Sequence, residues 1–76
     1  MNDDMELWAN MYEQRSARVG HRNIWFYLIQ TAIGNIGVVQ WEGEGQEIHE
    51  KLFRESYDKA ERYFEQTVSK IALGKM

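Results

Sequence analysis

Between Asn23 and Trp41 the chain reads NIWFYLIQTAIGNIGVVQW, two apolar stretches separated by a short run of glycine and asparagine. No other feature restricts the fold as much. NIWFYLIQT, at 23–31, is rich in aromatic and branched side chains and contains no glycine, so it is expected to be a strand, the most buried one. IGNIG, at 33–37, supplies the residue types that accept a positive φ. It therefore closes a hairpin, and GVVQW at 37–41 returns as a second strand ending at Trp41.

After the loop EGEG at 42–45, QEIHEKLF at 46–53 alternates, with Ile48 pointing one way and His49 the other. That suits a half-exposed third strand whose polar face carries glutamates and a lysine. Ser56 is the expected N-cap of a helix over 57–73, with Asp58 and Glu61 in the first turn and Ala60, Phe64, Val68 and Ile71 at helical spacing. Gly74 stands where a left-handed C-cap belongs, and Lys70 and Lys75 complement the negative end of the helix dipole. Tyr57, Tyr63 and Leu73 widen the apolar side, so the helix is expected to lie across one sheet face and supply half the core. The expected fold is α+β: a small antiparallel β-meander of three to four strands packed on one long C-terminal α-helix, in a single domain over 1–76.

The N-terminal part is ambiguous. Asp3 or Asp4 can cap a helix in which Met5, Trp8, Met11 and Tyr12 share a face, while Leu7, Ala9 and Met11 also alternate as in a strand. The pattern over 3–14 favours the helix. RSARVGHR, at 15–22, then reads as an exposed loop.

With 76 residues, burial reaches only about 60% of the unfolded chain's surface. Zero cysteines exclude a disulfide staple and a thiolate zinc site, and point to an intracellular, cytoplasmic setting. The 43% hydrophobic content is enough for a packed core, but no apolar run approaches the ~20 residues that span a bilayer, so no membrane association is expected. The N-terminus MNDDMELW begins acidic and lacks the apolar core of a signal peptide. A net charge of −3 weakens the case for sequence-independent nucleic-acid binding, yet Arg15, Arg18 and Arg22 cluster in one stretch and Glu42, Glu44, Glu47 and Glu50 in another.

No catalytic, cofactor-binding or metal constellation emerges. Strand alternation sends Glu47 and His49 to one face and Glu50 to the other, short of the three or four converging ligands a metal needs. His21 has no adjacent carboxylate to orient it, and none of Ser16, Ser56 and Ser69 lies beside a histidine. GNIG and GEG join strand to strand, so they are hairpin glycines and not a phosphate cradle. The chain is expected to be a binding module, not an enzyme. The aromatics bear on where it binds: Trp25 and Tyr27 face one side of their strand and Phe26 the other, and a single helix covers one side. The second side is a candidate binding surface unless the N-terminal segment folds over it, and the rarity of large exposed apolar patches favours the covered arrangement.

From residue 22 onward the order of features resembles the WGR domain, a small module of some poly-ADP-ribose polymerases and of free-standing bacterial proteins. The resembling parts are FYLIQ at 26–30, GVVQW at 37–41, GQ at 45–46, Phe53, Ala60, Phe64 and the closing KIALG at 70–74, about two thirds of the chain over 22–75. The resemblance implies a sheet-plus-helix fold and a bacterial or phage source. It also implies nucleic-acid contact, with Arg15, Arg18 and Arg22 touching phosphates and Trp41 or Trp25 offering a stacking face. Free-standing members begin with a tryptophan-bearing strand and an arginine-rich stretch, which Trp8 and RSARVGHR echo, and this favours a strand over 6–14. Where the family has Trp-Gly-Arg, this chain has Trp41-Glu42-Gly43. Trp41 is therefore either a contact residue kept in an altered loop or a core aromatic that anchors a strand end.

A second function class fits the same residues. A protein-interaction subunit or small inhibitor would dock its aromatic sheet face on a partner while Glu42, Glu44, Glu47 and Glu50 meet a basic surface. Self-association into a homodimer is the third arrangement.

Overall fold

A computed structural model describes residues 11–32, 34–54 and 56–76. It contains four strands, β1 (Met11–Val19), β2 (Arg22–Thr31), β3 (Gly34–Glu42) and β4 (Ile48–Phe53), followed by one helix, α1 (Tyr57–Ala72). The strands form a single antiparallel sheet in the order β1-β2-β3-β4. The fold is thus the expected α+β meander, with four strands.

Register assigns the faces. Phe26 stands opposite Arg15 and Val39, and Ile24 opposite Ala17 and Trp41, so these side chains share the face on which α1 packs. Ile24, Phe26, Val39, Ala60, Phe64 and Ile71 form the buried core there. Phe26 anchors it, with its ring 5.1 Å from Tyr57 and 6.4 Å from Phe64. The helix comes closest at Gly37, where a Cβ would lie 2.6 Å from the Ala60 Cβ. Glycine is required at that position by the approach of the helix, not by its backbone angles.

On the far face, Trp25 and Tyr27 stand beside Gln40 and Val38, and Val38 beside Leu52. Trp25 and Tyr27 are half-buried, and Val38 is only 2% exposed. Among the described residues no helix packs on this face. Residues 1–10, which bear the expectation of a covering segment, lie outside the described residues.

α1 starts and stops where local chemistry requires. The Ser56 hydroxyl accepts from the Lys59 N–H at 3.1 Å, filling one of the unpaired donors of the first turn. Gly74 adopts φ 72°, and the N–H groups of Gly74 and Lys75 donate to the carbonyls of Ile71 and Lys70. That pair of bonds is the Schellman ending, which the expected C-cap glycine makes possible. Leu73, expected to widen the apolar side, is 68% exposed, because the helix has already ended at Ala72.

Four expectations are corrected. RSARVGHR is not an exposed loop: residues 15–19 continue β1, the turn is confined to Gly20 and His21, and Arg22 begins β2 buried. Arg, Ser and Ala have little intrinsic preference for a strand, but the ten-residue β2 offers them a ladder, and pairing outweighs propensity. Met11–Gln14 is strand and not the end of a helix; the rest of 3–14 lies outside the described residues. Gly34 and Asn35 are not the turn of the central hairpin but the first residues of β3, Thr31 standing opposite Gly34. β4 likewise begins at Ile48, two residues later than the alternation suggests.

Candidate binding surfaces

The cationic residues come first because nucleic-acid contact depends on them. The structure does not bring Arg15, Arg18 and Arg22 to one surface. Arg15 lies on the helix face, its guanidinium 5.0 Å from the Phe64 ring centre and 3.6 Å from the Glu65 carboxylate. Arg18, opposite Asn23, is on the far face, with Nε donating to the Gly20 carbonyl at 3.0 Å. Arg22 is 8% exposed, and its Nε donates to the Glu42 carbonyl at 2.9 Å and its Nη1 to the Met76 main-chain oxygen at 2.5 Å. A buried guanidinium with charge-assisted bonds to two carbonyls ties the end of the chain to the start of β2 and the end of β3.

Glu42 belongs to the same tie. Its Oε1 accepts from both the Asn23 N–H and the Asn23 side-chain amide, each at 2.7 Å. The residue that follows Trp41 is thus a strand-end anchor.

Trp41 is neither fully core nor freely exposed. It is half-buried on the helix face, packed against the core cluster, with the Tyr63 ring 5.8 Å away. On β4, His49 stands opposite it and stacks at 5.6 Å with an interplanar angle of 21°. Trp41, Glu44, Glu47 and His49 line a shallow groove closed by Arg22 and Met76.

The loop between β3 and β4 is tightly turned. The Gly43 N–H donates to the Glu47 carbonyl at 2.8 Å and the Gln46 N–H to the Gly43 carbonyl at 2.9 Å. Gln46 sits at φ 65°, a left-handed conformation that costs a non-glycine residue about 1–2 kcal/mol. The Glu47 carboxylate folds over Gly43, where a Cβ would collide with it. It accepts a hydrogen bond from its own backbone N–H, and this, with the nearby His49 at 3.5 Å, holds its pKa below the ordinary glutamate value despite some desolvation. Glu47 and His49 share a face, as alternation requires. Among the described residues no group of three or more possible ligands converges on a metal position.

β4 differs from its neighbours. Five of its six residues are exposed, including Ile48 at 57% and Leu52 at 46%. Both project to the far face, beside Glu42 and Val38, and Glu50 lies between them with its carboxylate 3.2 Å from the Gln40 amide. Glu42 and Glu50 therefore share the far face with two large apolar side chains, whereas Glu44 and Glu47 lie at the groove beside Trp41 and His49. Sequence reasoning weighted the aromatics and passed over Ile48 and Leu52, although the alternation of QEIHEKLF already put them on a common face.

Comparison with protein families, with curated proteins and with solved structures gives no match to this chain.

Proposed function

We propose that this protein is a non-enzymatic protein-interaction module that docks its β4 side on a partner. The observation that carries this reading is the pairing of exposed Ile48 and Leu52 with Glu50 between them and Glu42 beside them on the far face, while Glu44 and Glu47 extend the acidic run around the adjoining loop. An apolar centre with a charged rim of one sign is the composition of a protein-docking surface, and the acidic rim selects a basic one opposite. Trp25, Tyr27 and Val38 contribute as packing rather than contact, since they are half-buried or buried.

A nucleic-acid module needs its cations to converge on the phosphates. Here Arg15 and Arg18 are on opposite faces and Arg22 is spent on carbonyls, while acidic side chains occupy the loop after Trp41. The charge balance agrees: of the twelve acidic residues three, Asp3, Asp4 and Glu6, precede position 11, so the remaining nine equal the nine basic ones. From β1 onward the chain has no cationic excess for phosphate.

Site-specific photocrosslinking in cells of origin tests the reading. A photoreactive residue at Leu52 is expected to capture a discrete partner, the same residue at Arg62 on the helix is not, and Glu50→Lys should abolish the capture. Equal capture from both positions, or none from Leu52, sinks protein docking at β4. Salt-sensitive oligonucleotide binding that disappears in Arg18→Glu would replace it with the nucleic-acid reading.

A further inference from the structure

The two edges of the sheet are finished differently. β1 is bulged: its register shifts between Glu13 and Arg15, and Arg15 is drawn onto the helix face by Phe64 and Glu65. A bulge and an inward-directed charge are the usual devices that stop an edge from accepting another strand. β4 has neither. Its ladder with β3 runs from Ile48 to Phe53 without a register shift, it contains no proline, and among the described residues its outer N–H and C=O groups have no partner. An edge strand with a regular, unbulged ladder and exposed apolar side chains is a template for strand addition.

A second copy of this chain is a poor occupant. Two β4 strands related by a two-fold axis pair antiparallel with faces preserved, so the residue at the axis must oppose its own copy. The two registers of greatest overlap put Glu50 against Glu50 or Lys51 against Lys51. Like charges directly opposite are destabilising, and these are the positions nearest the axis. The same positions define what would fit. A cross-strand neighbour should be apolar opposite Ile48 and Leu52, basic opposite Glu50, and acidic opposite His49 and Lys51.

We propose that β4 takes up an extended strand from a different protein, one that sets apolar residues opposite Ile48 and Leu52 and, between them, a basic side chain opposite Glu50 flanked by acidic ones. This rests on the docking reading above and names the form of its partner. Main-chain hydrogen bonds to β4 supply the affinity and the charge alternation supplies the choice.

The test uses the full chain, isotope-labelled, and two capped heptapeptides, Thr-Val-Glu-Arg-Glu-Val-Thr and its charge-inverted form Thr-Val-Arg-Glu-Arg-Val-Thr. With the first peptide, amide exchange should slow about ten-fold or more at alternate residues of β4, those whose N–H groups point away from β3. The inverted peptide should bind about five-fold more weakly, because the cross-strand charge pairs at Glu50 and Lys51 change sign. In the double variant Glu50→Lys, Lys51→Glu the preference should reverse. No slowing on β4 with either peptide at millimolar concentration overturns strand addition, and so does slowing that fails to alternate along the strand. Equal binding of the two peptides overturns the charge selection. Capture from Leu52 that persists without amide protection leaves docking standing and removes strand addition alone, whereas loss of both removes the docking reading too.

Discussion

Phe26 on β2 and Leu52 on β4 are apolar residues in strands of one sheet, yet Phe26 is fully buried under α1 and Leu52 is 46% exposed. β2 is enclosed by neighbours on two sides and by the helix above, so packing holds it. Among the described residues β4 has one strand neighbour, β3, and contributes mainly Phe53 to the core cluster. The difference shows where this chain places its apolar residues: those that fold it are central, and those at the β4 edge stay exposed.

Substitutions can break that contrast. Phe26→Ala should cost about 3–5 kcal/mol by urea denaturation, a large share of the stability of a domain this size, whereas Leu52→Ala should stay within about 0.5 kcal/mol. A Leu52→Ala cost as large as that of Phe26→Ala would mean that β4 is packed and not available. Arg22→Met should cost about 2–3 kcal/mol, since it leaves the Glu42 and Met76 carbonyls without their charged donor; Arg18→Met, on the same hairpin, should be near neutral in the same thermal melts. Gly37→Ala should cost about 1–3 kcal/mol through the Ala60 contact, and Ala60→Gly in the same chain should recover part of it. Gln46→Gly should raise stability by about 1 kcal/mol by relieving the left-handed residue in the β3–β4 loop.

The smallest effect is a pH dependence. Burial, with Glu13 across the β1–β2 ladder, raises the Tyr27 pKa above its usual value of 10. A raised folded pKa means that the stability from Tyr27 is complete below pH 10 and declines as pH rises from there, because the unfolded phenol ionises first. Glu13→Gln should lower the midpoint of the Tyr27 phenolate absorbance, and an unchanged midpoint would leave burial as its only cause. For Glu47 the sign is opposite. Its depressed folded pKa contributes stability above the unfolded value near 4.5, lost as pH falls through the folded one, and its exposure keeps that contribution small.

Much of the fold was legible in the residues. The β2–β3 hairpin followed from two apolar runs around glycines, and both ends of α1 from Ser56 and Gly74, because the interactions that make them lie within a few residues. β1 was not legible, since MYEQRSARV has no strand alternation strong enough to outweigh its polar composition, and only its pairing with β2 makes it a strand. Less of the candidate site could be read. The acidic run was visible, but which of its members are already engaged was not: Glu42 serves Asn23, and Glu50 lies against Gln40.

What the sequence determined by itself was therefore the set of local structures: a central hairpin, a half-polar strand after it and a capped amphipathic helix. Those are written in spacing, capping and turn chemistry, which act over neighbouring residues. Tertiary structure alone decided that Arg22 is buried on two distant carbonyls, that Trp41 lies between His49 and Tyr63, and that Ile48 and Leu52 remain exposed at an unbulged edge. Each of these depends on which strand pairs with which, in what register and under which face the helix lies, and no run of neighbouring residues contains that information.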